Sequence, residues 1–157
     1  MPDERLRRDQ LTEQLARAAT ENDHPRKAAL QLELAKLLDK TAERQLAQSY
    51  YRGAAASHNA AGKHTAAYEA LLSGGRSCVS RNEFTDAILF FRDAFQQAKT
   101  RKIPNKAFVL LEGAHAASRL LKKASELMSE FIPTSTFAQK PWFLGKTGGS
   151  PALARTA

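Results

Sequence analysis

Apolar residues return every three or four positions along most of the chain, and nowhere do they alternate with polar ones long enough to describe a strand. Pro2-Asp3-Glu4 opens a first helix, because proline and acids suit a first turn, and Leu6, Leu11, Leu15, Ala18 and Ala19 give it a modest stripe. Asn22-Asp23-His24 interrupts the pattern and Pro25 restarts it. The second helix, about 25–39, carries Ala28, Leu30, Leu32, Leu34, Leu37 and Leu38, an apolar arc wide enough for contact on two sides. Thr41 caps a third helix running to about Ala61, where Gly62 supplies a left-handed stop. A fourth, about 64–80, turns Ala67, Ala70, Leu71 and Cys78 inward. Asn82 is the cap expected for a fifth, about 83–100, built on Phe84, Ala87, Ile88, Phe91, Ala94, Phe95 and Ala98. After a break at Lys102-Ile103-Pro104-Asn105, with Asn105 as cap, a sixth helix of about 106–121 continues into, or is followed by, a shorter one to Phe131. Past Ile132-Pro133 the periodicity stops: the segment to Ala157 has three prolines from Pro133 onward and no acid, and reads as a flexible basic tail.

A longer period overlies this one. Ala-x-x-x-aromatic-x-x-Ala occurs as Ala47, Tyr51, Ala54 and again, 40 residues on, as Ala87, Phe91, Ala94; a degraded copy, Ala124, Met128, Phe131, begins 37 residues later. A small residue stands 12 positions before each of the first two sets, Ala35 and Gly75. Such residues let paired helices cross closely, and the aromatic fills the space between hairpins. Gly75→Leu is therefore expected to destabilise strongly, and Gly74→Ala to be tolerated or mildly stabilising. Any Ala-rich helical bundle can also produce two such matches, so a plain bundle is the alternative.

Gly75, Ala87, Phe91 and Ala94 together resemble the tetratricopeptide repeat, which places a small residue, then Ala, aromatic and Ala at these spacings. Leu71, Cys78 and Lys99 stand where that family has its Trp, Tyr and closing Pro. Units of 37–40 residues are similar to those of the soluble NSF attachment proteins and related divergent repeats, although this chain is much shorter. The resemblance covers roughly residues 25–131 and implies an all-α fold of antiparallel helical hairpins stacked as a short tetratricopeptide-like α-solenoid. Residues 1–24 would form an N-terminal capping helix and 132–157 the tail.

Composition narrows the chemistry. Of 157 residues 43% are hydrophobic, which excludes wholesale disorder, and much of that fraction is alanine, the best helix former. Single Cys78 excludes an internal disulfide and suits a reducing compartment; no segment is long and apolar enough for a membrane span, and the first residues lack the apolar centre of a signal peptide, so the cytoplasm is expected. His24, His58, His64 and His115 form no ligand-spaced pair with one another or with Cys78, and no carboxylates are paired in an apolar context. Gly145-Lys146-Thr147 lacks the earlier glycine and the preceding strand of a phosphate loop. No catalytic residue, metal or cofactor is expected.

Net charge is +8, which favours acidic partners of any class. Lys99, Arg101, Lys102 and Lys106 cluster at one inter-helix turn, with Lys122 and Lys123 further on. Cations near helix C-termini oppose the dipole, so these groups are either ordinary solvated turns or a docking patch for an acidic protein surface. Nucleic acid is less favoured, because no aromatic rings are interleaved with the cations. Trp142-Phe143-Leu144 is the other anomaly, an apolar anchor in a segment unable to build a core; docking on this chain and docking on a partner are equally open. The expectation is a non-catalytic adaptor or scaffold subunit of a larger hetero-complex. The attachment-protein resemblance implies vesicle trafficking as a setting, and a basic subunit of a ribonucleoprotein is the alternative.

Overall fold

A computed structural model describes residues 2–104 and 106–131. These residues fold into helices α1 (Pro2–Thr20), α2 (His24–Leu38), α3 (Arg44–Ala60), α4 (His64–Ser80), α5 (Phe84–Arg101) and α6 (Lys106–Phe131), with no strand among them. The fold is all-α, and successive helices from α1 to α5 pack side by side. The chain divides into two compact units, Met1–Arg119 and Leu120–Ala157, and the division falls inside α6.

Within the first unit the turns repeat. Asn22, Gly62, Asn82 and Lys102 all take the left-handed conformation, with φ between 53° and 73°. The residue after each donates its N–H to the carbonyl five positions back: Asp23 to Ala18, Lys63 to His58, Glu83 to Cys78 and Ile103 to Ala98. This bond closes a Schellman turn, which needs one left-handed residue and is tolerant of asparagine as well as glycine. Asn82 is therefore the left-handed residue that ends α4, and not the cap of α5. Glu83 holds the cap position and makes no side-chain cap bond. Gly62, Asn82 and Lys102 fall 20 residues apart, so a helix plus its turn is the repeating unit. Asp23 caps α2 by accepting from the Arg26 N–H. Thr41 does not cap α3, whose cap position is Glu43; the Thr41 hydroxyl instead bonds within the turn, donating to the Leu38 carbonyl and accepting from the Glu43 N–H. Asn105 lies outside the described residues.

Helices two apart are joined by polar side chains 35–42 residues apart in sequence. Arg8 of α1 reaches Glu43 at the start of α3; Gln48, Arg52 and Asn59 of α3 reach Asp86, Asp93 and Gln97 of α5. Asp39, at the end of α2, accepts from Ser77 and Arg81 in and after α4, and Arg76 of α4 donates to Glu112 of α6. In the first unit α1, α3 and α5 thus form one row and α2, α4 and the start of α6 the other, an arrangement of stacked hairpins like that of helical-repeat proteins.

The apolar core lies between the rows. Leu11 and Ala18 of α1 meet Leu30 and Leu34 of α2, whereas Ala35 looks the other way into the main cluster, so α2 is used on two sides as its wide arc implies. Ala35, Ala47, Tyr51, Ala54, Gly75, Ala87, Phe91 and Ala94 are all buried. The glycine pair behaves differently from expectation. A Cβ on Gly75 would stand 2.6 Å from the Phe91 ring, and one on Gly74 would stand 2.5 Å from the ring of Phe90, which is fully buried. Both glycines are close approaches, so Gly74→Ala is not a tolerated change.

α6 does not turn where the repeat would turn next. Lys122 stands one 20-residue step beyond Lys102, yet it is helical, and α6 runs on to Phe131. Ala124 and Met128 therefore continue the same helix, exposed to solvent, and form no separate returning helix with Phe131.

Candidate partner-binding surface

The first half of α6 is seated by Val109, Ala116 and Gly113, the first two buried and the third 3.6 Å from the Phe91 Cβ when a Cβ is placed on it. Because a helix advances about 100° per residue, a face anchored at 109, 113 and 116 turns 110 and 111 away from the stack. Leu110 and Leu111 are 56% and 69% exposed, and Phe108 is 48% exposed. Six of the nine exposed large apolar side chains among the described residues lie on α6, which separates this helix from the scattered single exposures at Leu6, Leu46 and Leu89.

Two cavities border this face. One, of about 350 Å³, is lined by Val79, Ser80, Phe91, Leu111, Glu112 and His115. The other, of about 410 Å³, is lined by Tyr68, Glu69, Leu72, Ser73, Arg76 and Phe108. Arg76 touches both: its Nε donates to Glu112 Oε1 at 2.9 Å and its guanidinium lies 5.6 Å from the centre of the Phe108 ring. The other Glu112 oxygen, Oε2, is buried with no hydrogen-bond partner among the described residues. The cavity beside Leu111 is thus largely apolar and the one beside Phe108 is mixed, with the Arg76–Glu112 pair between them.

The turn before α6 carries the cations. Lys99, Arg101, Lys102 and Lys106 are all exposed, and none forms an ion pair among the described residues. From Ala94 to Leu111 the sequence has no acid, so nothing nearby in the chain neutralises them. Lys102 is also the left-handed residue that closes α5. Lys122 and Lys123 are exposed in the second unit, on the continuation of α6. Trp142, Phe143 and Leu144 lie outside the described residues.

Titratable side chains elsewhere are engaged in structure. Asp39 accepts from Tyr51 Oη at 2.5 Å, Ser77 Oγ at 2.6 Å and Arg81 at 2.5 Å, tying three helices together. Burial, then the bond to Asp39, pushes the Tyr51 hydroxyl well above its usual range. Burial pushes the Cys78 thiol up to about 11, so little thiolate forms near neutral pH. His58 is held below the ordinary histidine range by burial and by Lys63. His64 shares a hydrogen bond with Asn59, and no three metal-ligating side chains gather among the described residues. None of the described helices is long and apolar enough to cross a membrane.

Sequence reasoning found the cations but missed the apolar face beside them. The signal was present: Phe108, Val109, Leu110 and Leu111 form a run whose breadth equals the one that marks α2 as a helix used on two sides. Compared with known proteins, the chain matches no family model, no curated protein and no solved structure.

Proposed function

We propose that this chain is a non-catalytic interaction subunit, a tetratricopeptide-like scaffold that holds a protein partner on the outer face of α6. The observation that carries this reading is the exposure of Phe108 and Leu111, each of which lines an open cavity, with Leu110 exposed beside them, on the helix where the 20-residue repeat stops. A stack of repeats needs a cover at each end, and here the described residues supply none beyond α6. A trafficking setting, implied by the sequence resemblance, the cytoplasm, suited by the single Cys78, and a second attachment through Trp142 in the tail belong to the same proposal.

Affinity capture from native extract with the full chain tests it, comparing wild type with a Leu110→Ser, Leu111→Ser variant of unchanged helicity and melting. A stoichiometric protein partner should be recovered with the first and lost with the second. Equal recovery with both would refute the reading. A ribonucleoprotein is the second reading, favoured by the acid-free run with four cations; recovery abolished by nuclease, and falling by several decades of affinity between about 50 and 200 mM salt, would select it.

A further inference from the structure

We infer that the occupant of this surface is an acidic amphipathic helix of the partner protein, lying along α6 with its apolar stripe on Phe108 and Leu111 and its carboxylates against Lys99, Arg101, Lys102 and Lys106. The inference rests on the scaffold reading above and specifies its ligand.

Shape argues for a helix. Phe108, Leu111 and His115 follow the i, i+3, i+7 spacing of one helix face, and Leu111 and His115 border the more apolar of the two cavities, with Val79 and Phe91 on its other wall. An amphipathic helix fills such a groove with side chains at the same spacing. Charge argues for acids. Four exposed cations stand at the head of α6, in an eighteen-residue stretch from Ala94 to Leu111 that contains no acid. Complementary potential across an interface fixes register and raises the association rate.

The competing macromolecules fit less well. Nucleic acid would leave Leu110 and Leu111 without a role, and the one exposed phenylalanine ring among the described residues, Phe108, already has the Arg76 guanidinium at 5.6 Å. An anionic bilayer offers nothing to fill a cavity of about 350 Å³, and it would bring its phosphates towards Glu112 on the cavity wall.

The test uses the full chain and three labelled peptides of about 18 residues, long enough to hold a helical stripe on binding. The first carries leucine at i, i+3, i+4 and i+7 in a glutamate-rich background. The second has the same composition with the stripe scrambled, and the third has lysine in place of glutamate. Fluorescence anisotropy should show the first binding at least about tenfold more tightly than the others, since burying even one leucine stripe residue is worth about that factor. Leu111→Ser should lose about tenfold, and Lys99→Glu with Arg101→Glu should lose affinity and flatten the dependence on salt. Equal binding of the first two peptides, or stronger binding of the lysine peptide, overturns the inference. So does tighter, Leu111-dependent binding of phosphatidylserine vesicles or of single-stranded RNA, which would assign the surface to membrane or nucleic acid. A Trp142→Ala chain that binds the first peptide at least about tenfold more tightly than wild type would make the chain's own tail the occupant and overturn it as well. If the native partner is captured through Leu110 and Leu111 while the peptides fail, only the helical ligand is wrong; if capture also fails, the scaffold reading falls with it.

Discussion

Replacing Gly74 with alanine sets two effects against each other, and the structure decides the sign. Helix propensity alone favours alanine by about 1 kcal/mol at an interior position. The added methyl, however, would meet three atoms of the Phe90 ring at 2.5, 2.8 and 2.9 Å, where carbon atoms prefer about 3.5–4.0 Å. The ring cannot retreat freely. Phe90 is fully buried, Tyr51 meets it edge-on at 6.5 Å between centroids, and the Arg52 guanidinium covers its face at 4.2 Å. Overpacking of this kind costs about 1–3 kcal/mol, so the net change should be a destabilisation of about 1 kcal/mol. Urea unfolding followed by circular dichroism measures it, and a double-mutant cycle with Phe90→Ala isolates the cause. Phe90→Ala should itself cost about 3–5 kcal/mol, but with the ring gone Gly74→Ala should turn stabilising by roughly 0.5–1 kcal/mol. Phe90→Leu gives the same comparison with a smaller cavity if the transition becomes too shallow to fit. A stabilising Gly74→Ala in the wild-type background, or a cycle additive within about 0.5 kcal/mol, would refute the close approach.

Other outcomes follow from the same core. Phe91→Ala should cost about 3–5 kcal/mol by thermal or urea melting, because the side chain is buried with its ring against Gly75. Tyr51→Phe removes one hydrogen bond to Asp39 and should cost about 1 kcal/mol, whereas Asp39→Ala takes the acceptor from Tyr51 and Ser77 and leaves the largely buried Arg81 with Glu83 alone, and should cost about 2–3 kcal/mol. The Cys78 thiol ionises near 9 when unfolded and near 11 when folded, so the unfolded state loses its proton first; stability should fall by about 1.4 kcal/mol per pH unit across that window, and less steeply in Cys78→Ala.

Much of the stack was legible because its signals are local. Gly62 marks a helix end through its conformational freedom, Pro25 sits where a missing N–H does no harm, and the Ala-x-x-x-aromatic-x-x-Ala sets fall on the buried sides of α3 and α5. What escaped was long-range. Asn82 suits a cap and a left-handed turn equally well, and only the Glu83 N–H bonding to the Cys78 carbonyl distinguishes them. Phe90 escaped because it lies beside the face shared by Phe84, Ala87, Phe91, Ala94 and Ala98. Phe90 and Phe91 point about 100° apart, and both are buried because α5 meets α3 through Tyr51 and Arg52, α4 through the glycine pair, and α6 through Gly113.

The candidate surface on α6 was half legible for a related reason. Charge is a property of the sequence, so four cations without an intervening acid stand out before any folding is known. Exposure of an apolar residue is a property of the neighbours. The arc of Phe108, Val109, Leu110 and Leu111 has the same breadth as that of α2, and in α2 both sides are covered, by α1 and by α3. On α6 the side of Val109 is covered and the side of Leu111 is not. The repeat explains the difference: had Lys122 taken the left-handed turn made by Gly62, Asn82 and Lys102, the chain would have doubled back one step later, as it does after each earlier helix. The helix continues instead, and a face with the composition of an interior contact is left facing outward. An apolar arc of that width at the end of a repeat array has the chemistry of a helix–helix contact, which is why a helix is the ligand it fits best.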